Sequence, residues 1–247
     1  MMQPTFRTCL LAEALGTAIL LIFGTGAAVV NAQTHALGHG GVAAAFGLVV
    51  FVLIQSLGDT SGAHINPAVT VAFWAMGRFE GRRVLPYVLA QLAGAALGSW
   101  VVLGVAGPGS NLGATLPAHG AWQALGIETF LTFWLMLVIF RVTAGSKEVG
   151  VLAGLVISST VALEALVAGP LTGASMNPAR SFGPALLGGV WTDWWVYLVG
   201  PVAGALLAVA VDRGLQLRSG VAEVARPAEH SEASGRQQDV TDVTRRG

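Results

Sequence analysis

Charge is scarce in this sequence. Of 247 residues only 26 are charged, 13 basic and 13 acidic, a share of 11%, where a soluble domain carries ~25%. Net charge is zero and there is no basic stripe, so the electrostatic footprint of a nucleic-acid binder is missing. One cysteine, Cys9, excludes an intramolecular disulfide and a CxxC metal site. Its apolar neighbours mark it as a packed thiol. His35, His39 and His119 read as outer-loop residues without metal-ligand spacing, and His230 falls in the tail. The sequence also lacks a Ser/His/Asp order, a phosphate loop and carboxylates paired for hydrolysis. No cofactor, metal or catalysis is expected.

Apolar residues fill the space that charge leaves. They make up 54% of the chain, with 33 glycines among the rest, and glycine is used by membrane helices for close packing. Nine of the charged residues fall in the tail, residues 219–247. Before it, apolar windows predict spans near 8–31, 40–58, 84–106, 121–140, 149–168 and 194–212. Two further apolar stretches, 66–76 and 177–187, are too short to cross a ~30 Å hydrocarbon core at ~1.5 Å per residue. They read as re-entrant half-helices, tolerated where protein or a water-filled cavity surrounds the irregular backbone. The first span is too long for a signal-peptide core and contains Glu13. It is read as a retained helix.

The two halves repeat. Asn66-Pro67-Ala68 returns as Asn177-Pro178-Ala179, inside Ser61-Gly-Ala-His-Ile-Asn-Pro-Ala and Thr172-Gly-Ala-Ser-Met-Asn-Pro-Ala, an offset of 111. Glu13 matches Glu128, and Tyr87 with Ala93-Gly-Ala matches Tyr197 with Ala203-Gly-Ala. Three spans per half is an odd number, so the second copy must be inverted. The fold class is therefore an all-α membrane protein, six transmembrane helices plus two half-helices in an inverted 3+3 repeat. Inverted repeats place their site near the midplane, where half-helix ends meet. A channel domain is expected over 1–218, with repeats about 7–106 and 121–213, followed by a disordered cytoplasmic tail over 219–247.

With the N-terminus cytoplasmic, twelve of the thirteen basic residues lie inside. The exception is Arg180, directly after the second Asn-Pro-Ala. Trp122, Trp191, Trp194 and Trp195 cluster at outer span ends, as an interfacial belt does.

Asparagine is a strong N-cap and proline suits the first helical position, so each tripeptide starts a helix. If the asparagine oxygen caps its own helix, its NH₂ is left to point away. Two inverted copies then present two donors, and two positive helix ends, to one point at mid-membrane. Such a site suits a neutral hydrogen-bonding solute and opposes cations and a continuous proton wire. Glu13 and Glu128 lie in apolar spans, where a carboxylate is costly. A proton relay is conceivable, but their symmetry favours bracing the re-entrant loops through backbone N–H groups. His64 is read as a third brace. Glu164 has no counterpart, since Leu53 occupies the matching position. Lining an outer vestibule, pairing with Arg180 and reaching the interface all stay open for it.

At these residues the chain resembles the aquaporin, or major intrinsic protein, family, over about residues 5–215. The resemblance implies a homotetramer with one pore per protomer, Asn66 and Asn177 at the constriction, and a four-residue outer filter. Counting places that filter at Phe46, Ala165, Ala174 and Arg180, with Ala165 fifteen and Ala174 six residues before the arginine. Orthodox water channels usually carry histidine at the first of these alanines and cysteine or threonine at the second. Ser181 is like water channels, Leu198 like glycerol channels, and Thr172-Gly-Ala-Ser-Met resembles plant nodulin-26-like channels. The implied function is passive permeation of water and small uncharged solutes such as glycerol, urea, ammonia or metalloid hydroxides, across a cell membrane. The alternative is a proton-coupled transporter using the intramembrane glutamates.

Overall fold

Six apolar helices carry the architecture, and the computed structural model describes them over residues 4–144 and 152–224. Among the described residues there is no strand. Two compact units divide the chain between Val211 and Asp212, and the site lies wholly in the first. Helix α1 (Phe6–Leu20) starts at Thr5, whose hydroxyl accepts from the Thr8 N–H. A single π-turn (Leu21–Thr25) joins it to α2 (Gly26–Thr34), and together they form the first span. The continuous apolar stretch expected over 8–31 gave no sign of this interruption.

Helices α3 (Gly38–Ser61), α5 (Gly81–Ala106), α6 (Ala121–Thr143) and α7 (Ala153–Thr172) supply four more spans. The sixth is α9 (Val196–Val224). The short helices α4 (Pro67–Ala75) and α8 (Pro178–Gly188) are the two half-helices. Each half thus contributes three spans and one half-helix, so the second runs opposite to the first.

Close crossings explain the repeated Ala-Gly-Ala. A Cβ on Gly94 of α5 would overlap the Ala14 carbonyl of α1, and one on Gly204 of α9 would overlap the Thr129 carbonyl of α6. Only glycine allows both backbones to approach so closely. In the α3–α7 pair, a Cβ on Gly47 would stand 2.7 Å from the Ala162 Cβ.

Three expectations need correction. The fifth span ends at Thr172 rather than 168, with Pro170 inside its last turns and Gly173 ending it at φ 85°; its expected start at 149 lies outside the described residues. Proline lacks an N–H, which leaves the carbonyl four residues earlier unpaired. That carbonyl, Leu166, is met at 2.6 Å by the ring Nε2 of His39, which must donate because a carbonyl only accepts. His39 is therefore not an outer-loop residue; it belongs to the first turn of α3. Finally, α9 runs to Val224, past the expected start of the tail at residue 219. The rest of that tail, from residue 225, lies outside the described residues.

Candidate functional site

Each re-entrant loop leaves its spanning helix at a glycine, Gly62 or Gly173, and then holds two side-chain-bearing residues in the left-handed region. These are Ala63 (φ 47°) and Ile65 (φ 44°) in the first loop, and Ala174 (φ 42°) and Met176 (φ 53°) in the second. Such conformations cost of order 1–3 kcal/mol each and persist where surroundings over-determine them. Here the surroundings are two buried carboxylates. Glu13 Oε1 accepts from the His64 N–H (2.9 Å) and Ser61 Oγ (2.7 Å), while Oε2 accepts from the Ile65 N–H (2.6 Å) and Gln91 Nε2 (2.8 Å). Glu128 does the same in the second half, taking the N–H groups of Ser175 (2.9 Å) and Met176 (2.8 Å) and the Thr172 hydroxyl (2.8 Å). Both glutamates are fully buried, and these bonds meet the need for acceptor satisfaction that burial imposes.

Around this shared plan the two loops differ. His64 Nδ1 lies 3.1 Å from Thr70 Oγ1, and its ring stacks on Phe73 with centroids 4.9 Å apart. At the corresponding second-half positions are two serines: Ser175 Oγ lies 2.6 Å from Ser181 Oγ, which accepts from the Thr115 hydroxyl at 2.8 Å. Tyr87 and Tyr197 tie the loops down at their starts, donating to the carbonyls of Ser61 (3.0 Å) and Thr172 (2.8 Å). Cys9 is buried and its thiol donates to the Thr60 carbonyl at 3.1 Å.

The two half-helices start at the asparagines. Asn66 Oδ1 accepts from the Ala68 N–H at 2.9 Å; Asn177 Oδ1 accepts from Ala179 (2.9 Å) and Arg180 (3.2 Å). Pro67 and Pro178 take the first helical positions, where no N–H is needed. The side-chain amides do not simply point into open space. Asn66 Nδ2 donates to the Met176 carbonyl (2.8 Å) and Asn177 Nδ2 to the Ile65 carbonyl (2.9 Å), so each loop is pinned to the other. An amide nitrogen carries two hydrogens, and both asparagines still line the cavity.

That cavity has a volume of about 840 Å³. Its lining includes Phe46, Ala165, Ala174 and Arg180, all four residues placed by counting, together with His64 and both asparagines. Arg180 is buried; its Nη1 donates to the Gly113 carbonyl at 2.7 Å, and its guanidinium carbon lies 5.0 Å from the Phe46 ring centroid. The contact is a cation–π pair. Residues 107–120, between α5 and α6, therefore shape the site, with Leu112 fully buried beneath. Sequence reading missed Gly113, because a backbone carbonyl carries no residue signature, and Thr115, whose hydroxyl meets Ser181, 66 positions away in the chain.

Glu164 sits in the middle of α7, buried, and neither carboxylate oxygen has a hydrogen-bond partner among the described residues. It does not pair with Arg180: neither of its oxygens, nor the arginine Nε, has a hydrogen-bond partner among the described residues, and Arg180 Nη1 donates to Gly113. Of the three roles left open for it, the burial also removes interface contact.

The Major intrinsic protein family matches residues 1–211. This chain belongs to that family. It is 47% identical to "Aquaporin NIP1-1" of Zea mays over 199 residues, covering 80% of this chain and 71% of that protein. It is 43% identical to "Probable aquaporin AqpM" of Archaeoglobus fulgidus, over 84% of this chain and 96% of the relative. Among solved structures, that of the aquaglyceroporin from Plasmodium falciparum superposes with a TM-score of 0.72 at 28% identity, covering 83% of this chain and 95% of that one. With its six apolar helices long enough to cross a membrane, this major intrinsic protein is a multi-pass membrane protein.

Proposed function

We propose that the protein is a passive channel for water and small uncharged solutes, not an enzyme and not a transporter. The observation that carries this reading is the pair of pinned asparagines lining one cavity with Phe46, Ala165, Ala174 and Arg180. A water molecule passing between the asparagine amides accepts hydrogen bonds from both and turns its oxygen toward them, which breaks a proton wire. The positive ends of α4 and α8 add a barrier to cations. Proton coupling through Glu13 and Glu128 is disfavoured because their oxygens are occupied in bracing the loops.

Aperture distinguishes water from larger solutes. At the filter, Ala165 and Ala174 remove bulk and polar groups from two walls, while Arg180 supplies donors and Phe46 an apolar wall. That combination fits glycerol, urea, ammonia or metalloid hydroxides, whose carbon or small neutral bodies pack on the ring while their hydroxyl or amine groups meet the arginine. Relatives named aquaporins and a neighbour named an aquaglyceroporin support the same range.

The channel domain comprises the six spans and two half-helices, assembled as a homotetramer with one pore per protomer. It resides in the cell membrane with both termini cytoplasmic, the orientation that puts twelve of thirteen basic residues inside. Stopped-flow light scattering on proteoliposomes tests the proposal. Osmotic water permeability well above that of empty vesicles, with a low activation energy, is expected; permeability equal to empty vesicles rejects it. Inward glycerol and urea gradients on the same vesicles then rank the solutes.

A further inference from the structure

The π-turn of the first span, Leu21–Thr25, lies outside the four-residue filter yet abuts one of its members, Phe46, and the residue whose carbonyl holds another, Arg180. In a π-turn the carbonyl is met five residues later; here the Leu21 carbonyl accepts from the Gly26 N–H and also from the Thr25 hydroxyl at 2.6 Å. Single π-turns inside α-helices recur at functional sites. This one presents Gly24 directly to the Phe46 ring. A Cβ on Gly24 would overlap Phe46 Cε1, stand 2.7 Å from Cδ1 and 3.0 Å from Cζ. The next residue, Thr25, faces Gly113: a Cβ there would lie 3.2 Å from the Thr25 Cβ and 3.2 Å from its carbonyl. Gly113 adopts φ 68° and its carbonyl holds Arg180 Nη1. One turn of helix therefore backs both the aromatic wall and the carbonyl that anchors the arginine.

We propose that Gly24 is a specificity-determining residue, setting the filter aperture by fixing where the Phe46 ring stands. The ring has the Gly24 backbone on one side and the Arg180 guanidinium 5.0 Å from its centroid on another. A side chain at position 24 must displace it, and the space open to it is the cavity that Phe46 and Arg180 both line. The missing Cβ at Gly24 is thus part of the aperture, as are the small side chains of Ala165 and Ala174. In flux terms the inference rests on the reading of the protein as a channel for small solutes.

Gly24→Ala is the test, reconstituted alongside the wild type in lipid vesicles. Glycerol and urea permeability are expected to fall by at least about fivefold relative to water permeability, because pore diameter governs which solutes pass. Adding Phe46→Leu to Gly24→Ala is expected to restore the solute-to-water ratio, which a general loss of folded protein cannot do. Water and solute fluxes that fall in the same proportion, or a ratio left unchanged, overturn the proposal. Experimental structures of both proteins supply a readout independent of solute flux. The Phe46 ring is expected to move toward Arg180 in the variant; a ring that keeps its place while the first helix shifts overturns the inference. A wild type that conducts water but neither glycerol nor urea rejects the small-solute reading instead, and the ring position still decides the role of Gly24.

Discussion

Asn66 and Asn177 hold each other's loops: the amide of each donates to the backbone carbonyl preceding the other, at 2.8 and 2.9 Å. The residues so joined are 110 and 112 positions apart in the chain. The motif is therefore a mutual clamp as well as a pair of helix caps, and both jobs fall on the same side chain.

Replacing Asn66 with aspartate separates those jobs. The carboxylate can still cap the Ala68 N–H, but it has no hydrogen for the Met176 carbonyl. A loss of about 1–3 kcal/mol of stability is expected from the unpaired buried carbonyl and the facing oxygens, measured by thermal unfolding in detergent. A proton leak is also expected, read with a pH-sensitive dye in vesicles under a potential. Unchanged melting and no leak would remove Asn66 from both roles.

Ala165→His adds bulk and a polar group to one wall of the proposed filter. Ala165 is buried and lines the cavity, so the imidazole has to project into it. Glycerol and urea flux are expected to drop by about tenfold or more while water flux stays within about threefold, since pore diameter and lining polarity set selectivity. Parallel solute and water assays on one vesicle preparation check it.

Glu128→Gln keeps the shape of a brace and exchanges one acceptor oxygen for an NH₂. Glu128 receives three donors: two backbone N–H groups and the Thr172 hydroxyl. At least one then faces another donor. The expected cost is about 1–3 kcal/mol, with a matching loss at Glu13→Gln, both seen as lower melting temperatures. Equal stability of the wild type and both variants would show that the carboxylates do not hold the loops.

Glu164→Leu should act in the opposite direction. Its carboxylate oxygens are buried without partners among the described residues, and removing an unsatisfied buried polar group can regain about 1–3 kcal/mol. A raised melting temperature with unchanged water permeability is expected. Loss of water flow at normal protein levels would instead make Glu164 part of the conducting path.

Much of this was legible from residue type and spacing. Apolar windows located six spans, the doubled Asn-Pro-Ala announced two capped half-helices, and Glu13 and Glu128 stood out as carboxylates in apolar surroundings. Counting back from Arg180 reached Ala165 and Ala174, both of which line the cavity. The π-turn was not legible, because Leu21–Thr25 continues the apolar stretch and hydropathy does not register hydrogen-bond pattern. Nor was the later end of the fifth span, since Pro170 reads as a helix stop until His39 supplies the donor that its missing N–H leaves wanting.

The sequence by itself determined the periodicity, caps and repeat, because those follow from local backbone preference and from what a hydrocarbon core tolerates. The tertiary structure alone decided that the asparagine amides cross over and that Arg180 leans on the Gly113 carbonyl. It alone left Glu164 without a hydrogen-bond partner among the described residues and set Phe46 against Gly24. Apart from Glu164, each of these is a contact between residues apart in the chain, often through backbone atoms that every residue shares. Only packing selects which of them meet.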